Sequence, residues 1–150
     1  PKKPVSVDAC CQECLGLIRQ NLKEGIELQY MPSSTPVEVC TVEIWMKRVL
    51  LGLLNNANKF TPQGYIKLGY IYRPATNEVS IYVEDTGIGI PKEEQEMIFA
   101  RFYKRSEFSQ GVGLGLAICK AIAEKLGGRI EVESQVGRGS RFAVVLPCVE

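Results

Sequence analysis

The sequence predicts an α+β two-layer sandwich: a mixed, mostly antiparallel sheet covered on one face by about three helices. Strand-like stretches occur as hairpin-spaced pairs, and helix-like stretches do not alternate strictly with them. That pattern favours helices gathered on one face of a single sheet over a doubly wound fold. The chain is also long enough for a full core, with 150 residues of which 45% are hydrophobic and 23% charged. No apolar run approaches the roughly 20 residues that span a bilayer, and no signal-peptide pattern opens the chain. A net charge of +1 makes no electrostatic case for a nucleic-acid partner. The chain starts at Pro1 without a methionine, which predicts a piece of a longer protein. Residues 1–150 are expected to form one domain, with one helix and one strand in about the first 30.

The first helix is expected over residues 8–23, where Cys11, Cys14, Leu15, Ile18 and Leu22 recur at helical spacing and Asp8 stands as a cap. Residues 27–31 and 37–41 read as short strands around Pro32-Ser-Ser-Thr-Pro36. The longest helix follows from Val42 to Phe60, and Thr61-Pro-Gln-Gly64 ends it. Residues 65–73 and 78–84 form a predicted hairpin through Pro74-Ala-Thr-Asn77. Pro91 suits the first position of a short helix reaching Phe99 or Arg101, with Glu93 and Glu94 in its positive first turn. Residues 102–112 are polar and aperiodic, the composition of a mobile loop. A last helix is expected from Gly113 to Leu126, with Leu114, Ile118, Ala121, Ile122 and Leu126 on one stripe, stopped by Gly127-Gly128. Strands 129–135 and 140–146 around Val136-Gly-Arg-Gly139 complete the chain.

Cys10, Cys11 and Cys14 cluster, while Cys40, Cys119 and Cys148 are scattered. The chain has no histidine, and no second cysteine pair repeats the spacing of a zinc site. The cysteines are therefore read as reduced, small hydrophobes, with no metal or disulfide role.

Three polar or glycine-rich features stand where apolar residues are expected. Val79, Ile81 and Val83 alternate along a strand, and the same period puts Asp85 on the inward face. A buried carboxylate is costly unless hydrogen-bonded. Either a ligand amino group such as adenine's or the turn N–H groups of Thr86-Gly87 would satisfy it. In the long helix, Val49, Leu53, Asn56 and Phe60 share a stripe, so Asn56 lies among apolar neighbours. Its amide either ligates a hard cation such as Mg2+ or meets a nearby backbone group. Gly52 and Lys59 flank it on nearly the same face. A mid-helix glycine costs about 1 kcal/mol against alanine, and space for a ligand or a close helix would account for it. Lys59 either reaches phosphate or is solvated. The third feature is Gly111-Val-Gly-Leu-Gly-Leu116, about 26 residues after Asp85-Thr-Gly-Ile-Gly-Ile90 and opening into a helix. Such a turn aims backbone N–H groups at phosphate. It has neither the dinucleotide fingerprint spacing nor the Lys-Ser/Thr of a P-loop, so by itself it specifies little.

In this order, the features resemble the catalytic ATP-binding domain of bacterial two-component sensor histidine kinases. These belong to the wider GHKL family shared with type II topoisomerases and mismatch-repair ATPases. The likeness covers about residues 35–147. Leu53-Leu-Asn-Asn-Ala-Asn-Lys-Phe-Thr-Pro-Gln-Gly64 resembles the family's N box and Asp85-Thr-Gly-Ile-Gly-Ile-Pro91 its G1 box. Ile98-Phe-Ala-Arg-Phe-Tyr-Lys104 is similar to the F box, residues 111–116 to the G2 box, and Gly137-Arg-Gly-Ser-Arg-Phe142 to the last glycine segment. The resemblance implies the Bergerat ATP-binding fold with ATP between the helices and a lid. It implies that Asp85 accepts from the adenine amino group, while Gly87, Gly89 and Ile90 pass the base and ribose. Asn56 would hold Mg2+. Lys59, Tyr103 and Lys104 would lie near ribose or phosphate, and Gly111, Val112, Gly113, Leu114 and Gly115 would meet the triphosphate. Residues 102–112 would be a short lid anchored by Phe99 and Phe102.

Two departures qualify the likeness. Gly52 replaces the Asn of many sensor kinases and the Glu general base of the topoisomerase-like hydrolases, which argues against a dedicated ATP hydrolase and bears on the magnesium site. With no histidine here, the implied acceptor lies on a dimerising hairpin outside this chain. The implied partners are that dimerisation domain of the same parent and a response-regulator receiver domain. The implied setting is cytoplasmic, with a monomeric isolated domain and a homodimeric parent that inner-membrane anchoring would suit. The alternatives are a serine/threonine kinase of the anti-sigma-factor type and a degenerate nucleotide-gated interaction module.

Overall fold

The computed structural model describes residues 1–100 and 115–148. Its elements run β1 (Lys3–Ser6), α1 (Val7–Arg19), β2 (Ile26–Met31), β3 (Glu38–Thr41), α2 (Glu43–Phe60), β4 (Gly64–Arg73), β5 (Glu78–Asp85), α3 (Gly115–Lys125), β6 (Arg129–Gln135) and β7 (Gly139–Pro147), with a short 3-10 turn at Lys92–Glu94. Five strands form one sheet in the order β2-β4-β5-β7-β6. Among the described residues, only β2 and β4 pair in parallel. The three helices cover one face, as the apolar periodicities predict.

Period-2 alternation decides which side chains meet those helices. Ile66, Leu68 and Tyr70 of β4, Val79, Ile81 and Val83 of β5, and Phe142, Val144 and Leu146 of β7 are buried together. Against them α2 packs Met46, Val49, Leu50, Leu53, Leu54 and Ala57. The outward face of β5 is not simply polar and exposed. Ser80 and Tyr82 are buried too, and for Tyr82 the Arg141 guanidinium stacks 4.0 Å from the ring centroid while Gly69 leaves room beneath the hydroxyl.

Several boundaries differ from the sequence expectation. The cap of α1 is Ser6, whose Oγ accepts from the Ala9 N–H at 3.2 Å; Asp8 lies inside the helix and accepts from the Tyr30 hydroxyl. The helix ends at Arg19 rather than 23. Asn58 of α2 accepts from the Lys23 N–H at 3.1 Å and donates to the Asn21 carbonyl at 3.0 Å, drawing that segment out of helical pairing. Residues 27–31 and 37–41 do not pair with each other. β2 joins the main sheet, while β3 pairs with β1, a strand the sequence reading lacks, in a separate two-stranded sheet. After Pro91, whose ψ of 142° is extended, the chain makes a 3-10 turn rather than a helix, with i to i+3 bonds through Gln95, Met97 and Ala100.

The buried face of α3 is also rotated from the expected stripe. Cys119 and Ala123 are its buried residues, Leu126 is buried just past its end, Ile118 lines a groove, and Ala121 is exposed. The cause is contact on two sides, since α3 packs against both α2 and β6. The expected helix start at Gly113 and Leu114 and the lid at 102–112 lie outside the described residues.

Cys10, Cys11 and Cys14 are core residues on the buried face of α1. The neighbouring Cys14 thiol and burial push the Cys10 thiol well above its ordinary range, and burial does the same to Cys11. All six cysteines are free, and among the described residues no group of three or more His, Cys, Asp or Glu could hold a metal.

Candidate nucleotide site

β5 carries its inward alternation to Asp85, which is only 4% exposed. Its Oδ1 accepts from the Gly87 N–H at 2.8 Å and the Ser140 N–H at 3.2 Å. The turn-bonding alternative is therefore realised, and it leaves the carboxylate on the helix-facing side of the sheet. The loop that follows is folded over the end of α2. The Ile88 N–H donates to the Phe60 carbonyl at 3.1 Å, and a Cβ on Gly87 would lie 2.4 Å from that oxygen. Gly89 adopts φ +73°, and a Cβ there would lie 2.0 Å from the Gln135 carbonyl. Both glycines are thus required by close backbone approach. Ile90 is buried behind them.

Asn56 stands one helical turn before Phe60, on the same face of α2. Its Nδ2 is buried without a hydrogen-bond partner, a property shared among the described residues by the hydroxyls of Thr41 and Thr61. The alternative in which a backbone group satisfies this amide donor is not realised. Lys59 is exposed, with its ammonium 5.6 Å over the Phe60 ring. Gly115 opens α3 and is exposed, with nothing among the described residues within 4 Å of a Cβ placed there. Tyr103, Lys104, Gly111, Val112, Gly113 and Leu114, with Phe102, lie outside the described residues.

Gly52 is explained by its neighbour. A Cβ there would sit 2.5 Å from Cys119 Sγ, so glycine allows α3 to approach α2 closely. Cys119 Sγ in turn donates to the Val49 carbonyl at 3.7 Å, and burial pushes its thiol up to about 11.

On the opposite face of the sheet, burial opposes ionisation of Glu84, but the Tyr65 hydroxyl and the cations of Arg141 and Lys67 outweigh it. They hold the carboxyl below the ordinary range.

The sequence reading missed Ser134, Ser140 and Gln95. The Ser134 Oγ accepts from the Ile90 N–H at 2.8 Å, and Gln95 Nε2 donates to the carbonyls of Ile90 and Ser134. A signal was present: Ile130 and Val132 of β6, and Phe142 and Val144 of β7, alternate inward until a serine takes the next inward place.

The family described as Histidine kinase-, DNA gyrase B-, and HSP90-like ATPase (HATPase_c) matches residues 41–150. The chain belongs to this family. Among its relatives, this ATPase-family chain is 38% identical over 118 residues to the Sensor protein SrrB of Staphylococcus aureus, covering 72% of the chain and 20% of that protein. The chain thus spans about one fifth of the length of the curated relatives it matches. Its fold is that of histidine kinase catalytic domains. The mycobacterial sensor histidine kinase MprB superposes with a TM-score of 0.85 at 28% identity, covering 99% of this chain and 98% of that one. The catalytic domain of histidine kinase ThkA superposes at 0.81 with 26% identity, covering 98% and 97%. Full-length ShkA in complex with AMPPNP gives 0.89 at 28% identity, covering 99% of this chain and 31% of ShkA.

Proposed function

We propose that this chain is the ATP-binding catalytic part of a two-component sensor histidine kinase. In this reading it holds Mg-ATP between α2, the loop at 85–90 and the start of α3. The observation that carries the proposal is Asp85, buried on the helix-facing side of the sheet and already anchored through Oδ1 by two backbone N–H groups. A carboxylate so fixed is oriented to accept from the adenine amino group and to disfavour guanine, whose equivalent atom is an acceptor. Gly87, Gly89 and Ile90 would give the base and ribose close backbone contact. Residues 111–115 would meet the triphosphate, and Lys59, Tyr103 and Lys104 would lie near ribose or phosphate.

The site residues fit a magnesium-bound nucleotide. The Asn56 amide has a buried donor with no partner and brings an acceptor oxygen on the same group. When bound, Mg2+ would neutralise charge on the phosphates. α2 has no side chain at Gly52 to take a proton from water, which favours a protein acceptor over hydrolysis. In this reading the acceptor would be a histidine on a dimerisation domain of the same parent, since the chain itself has no histidine. A response-regulator aspartate would then receive the phosphate. The existence of the AMPPNP complex of ShkA supports the nucleotide reading. A cytoplasmic setting, a monomeric isolated domain and a dimeric parent belong to the same proposal, and no helix among the described residues is long and apolar enough to cross a membrane.

Calorimetric titration with Mg-ATP and Mg-GTP, on the unmodified chain and Asp85→Asn, tests the pocket. Binding of ATP alone, lost in the variant, supports the reading; no binding by the unmodified chain overturns it. Supplying a dimerisation hairpin with labelled ATP, with Asn56→Asp as control, tests the transfer. Label on hairpin histidine supports a histidine kinase, label on a partner serine indicates the anti-sigma-factor type, and binding without label indicates a nucleotide-gated module.

A further inference from the structure

Three adjacent strands end their inward apolar runs on polar residues at one end of the sheet. β5 runs Val79, Ile81, Val83 and then Asp85; β7, read backwards, runs Leu146, Val144, Phe142 and then Ser140; β6 runs Ile130, Val132 and then Ser134. Asp85 pairs with Ser140 and Ser140 with Ser134, so the three form one cross-strand row. Such a row interrupts a face that packing would otherwise fill with apolar side chains, and every member is hydrogen-bonded.

We propose that Ser134 is a positioning residue for the nucleotide site, acting through the loop at 86–91; this rests on the nucleotide reading above. Its hydroxyl, with one proton and two acceptor positions, makes three hydrogen-bonding contacts. It donates to the Gly139 carbonyl at 3.1 Å and accepts from the Ile90 N–H at 2.8 Å. The Ser140 Oγ lies 2.7 Å from it, a hydroxyl–hydroxyl bond that either serine can donate. The Ser140 N–H reaches Asp85 Oδ1 in turn. The chain of bonds therefore runs from the loop backbone, through two serines, to the residue assigned to read the base.

The same loop is held on its other polar groups. Gln95 Nε2 donates to the Ile90 carbonyl at 3.0 Å and to the Ser134 carbonyl at 3.1 Å. The Gly137 N–H donates to the Ile88 carbonyl at 2.9 Å. Gly89 sits at positive φ with the Gln135 carbonyl where a side chain would be. The loop is thus fastened to the β6–β7 turn at several points, and Ser134 is where that fastening meets the Asp85 row. Its role is to set the height and tilt of residues 87–90 relative to the Asp85 carboxylate.

Ser134→Ala tests this, with Gln95→Leu as a second variant that leaves the polar row intact. Amide hydrogen exchange on the ligand-free chain reads the latch directly. The Ile90 amide is expected to lose protection about tenfold in Ser134→Ala while Ile81 and Val144 keep theirs. Titrations with ATP and with inosine triphosphate, which lacks the exocyclic amino group, read the consequence. ATP affinity is expected to fall about tenfold, and the preference for ATP over the inosine nucleotide to shrink, in the same direction but less in Gln95→Leu. A serine that merely stabilised the fold would lower the melting temperature and leave that preference unchanged. Unaltered affinity and preference in both variants, with the unmodified chain binding ATP, overturn the positioning role alone. Failure of the unmodified chain to bind ATP overturns the nucleotide reading and this inference with it.

Discussion

Asp85 and Asn56 are the same kind of anomaly in the sequence, a polar side chain inside an apolar stripe, yet the structure treats them oppositely. Asp85 Oδ1 is anchored by two backbone N–H groups. The Asn56 Nδ2 is buried with no partner. A buried, hydrogen-bonded carboxylate contributes to holding its surroundings, whereas a buried orphan donor costs stability in the ligand-free chain. On the proposed reading, one residue would serve fold and ligand together, and the other would make sense only through the ligand. The difference arises because a strand end can borrow N–H groups from the turn that follows. A mid-helix side chain has no such donors or acceptors left over on its own backbone.

Mutations should separate the two. The largest effect is expected for Asp85→Ala, which strands the Gly87 and Ser140 N–H groups. Unfolding stability should fall by about 2–3 kcal/mol, and the melting temperature by about 5–10 °C, together with loss of ATP binding. A variant that loses ATP but melts normally would break the comparison at its first term. Next is Gly52→Asn, which drives a side chain into Cys119 and should cost about 2 kcal/mol in denaturant unfolding. Combining it with Cys119→Ala should recover roughly half of that, a coupling that two independent sites would not show. For Asn56→Leu the sign reverses. Nucleotide binding should vanish while the ligand-free chain becomes more stable by about 1 kcal/mol, read from a raised denaturant midpoint at constant slope. A destabilised Asn56→Leu would show that the amide supports the fold after all.

The smallest effect concerns the opposite face of the sheet, where Glu84 is held below the ordinary carboxyl range. Its ionised form then adds stability above pH about 4.3, the unfolded value, and this is lost as pH falls through the lower folded value. Glu84→Gln should flatten the acid limb of the stability profile by less than about 1 kcal/mol, with ATP affinity at neutral pH unchanged. A change in ATP affinity would mean that the outer face reports to the site.

Local pattern made much of this molecule legible. The bounds of α2, the β4–β5 pair and the β6–β7 pair follow from apolar period and turn residues, and Asp85 was placed inward by counting alone. What escaped was set by partners distant in sequence. The early end of α1 depends on Asn58, 37 residues after Asn21. The parallel placement of β2 depends on β4, and no local signal separates it from a hairpin with β3. The rotation of α3 depends on packing against both α2 and β6.

By itself, the sequence determined the fold class and the inward station of Asp85 and Asn56, because periods of 2 and 3.6 are properties of the backbone, while the family was legible through the resemblance of its ordered motifs. Only the tertiary structure decided why Gly52 is glycine and that Asp85, Ser140 and Ser134 form one row. It alone separated the anchored carboxylate from the orphan amide. Those facts depend on strand register and helix approach, which bring together atoms that no local spacing relates.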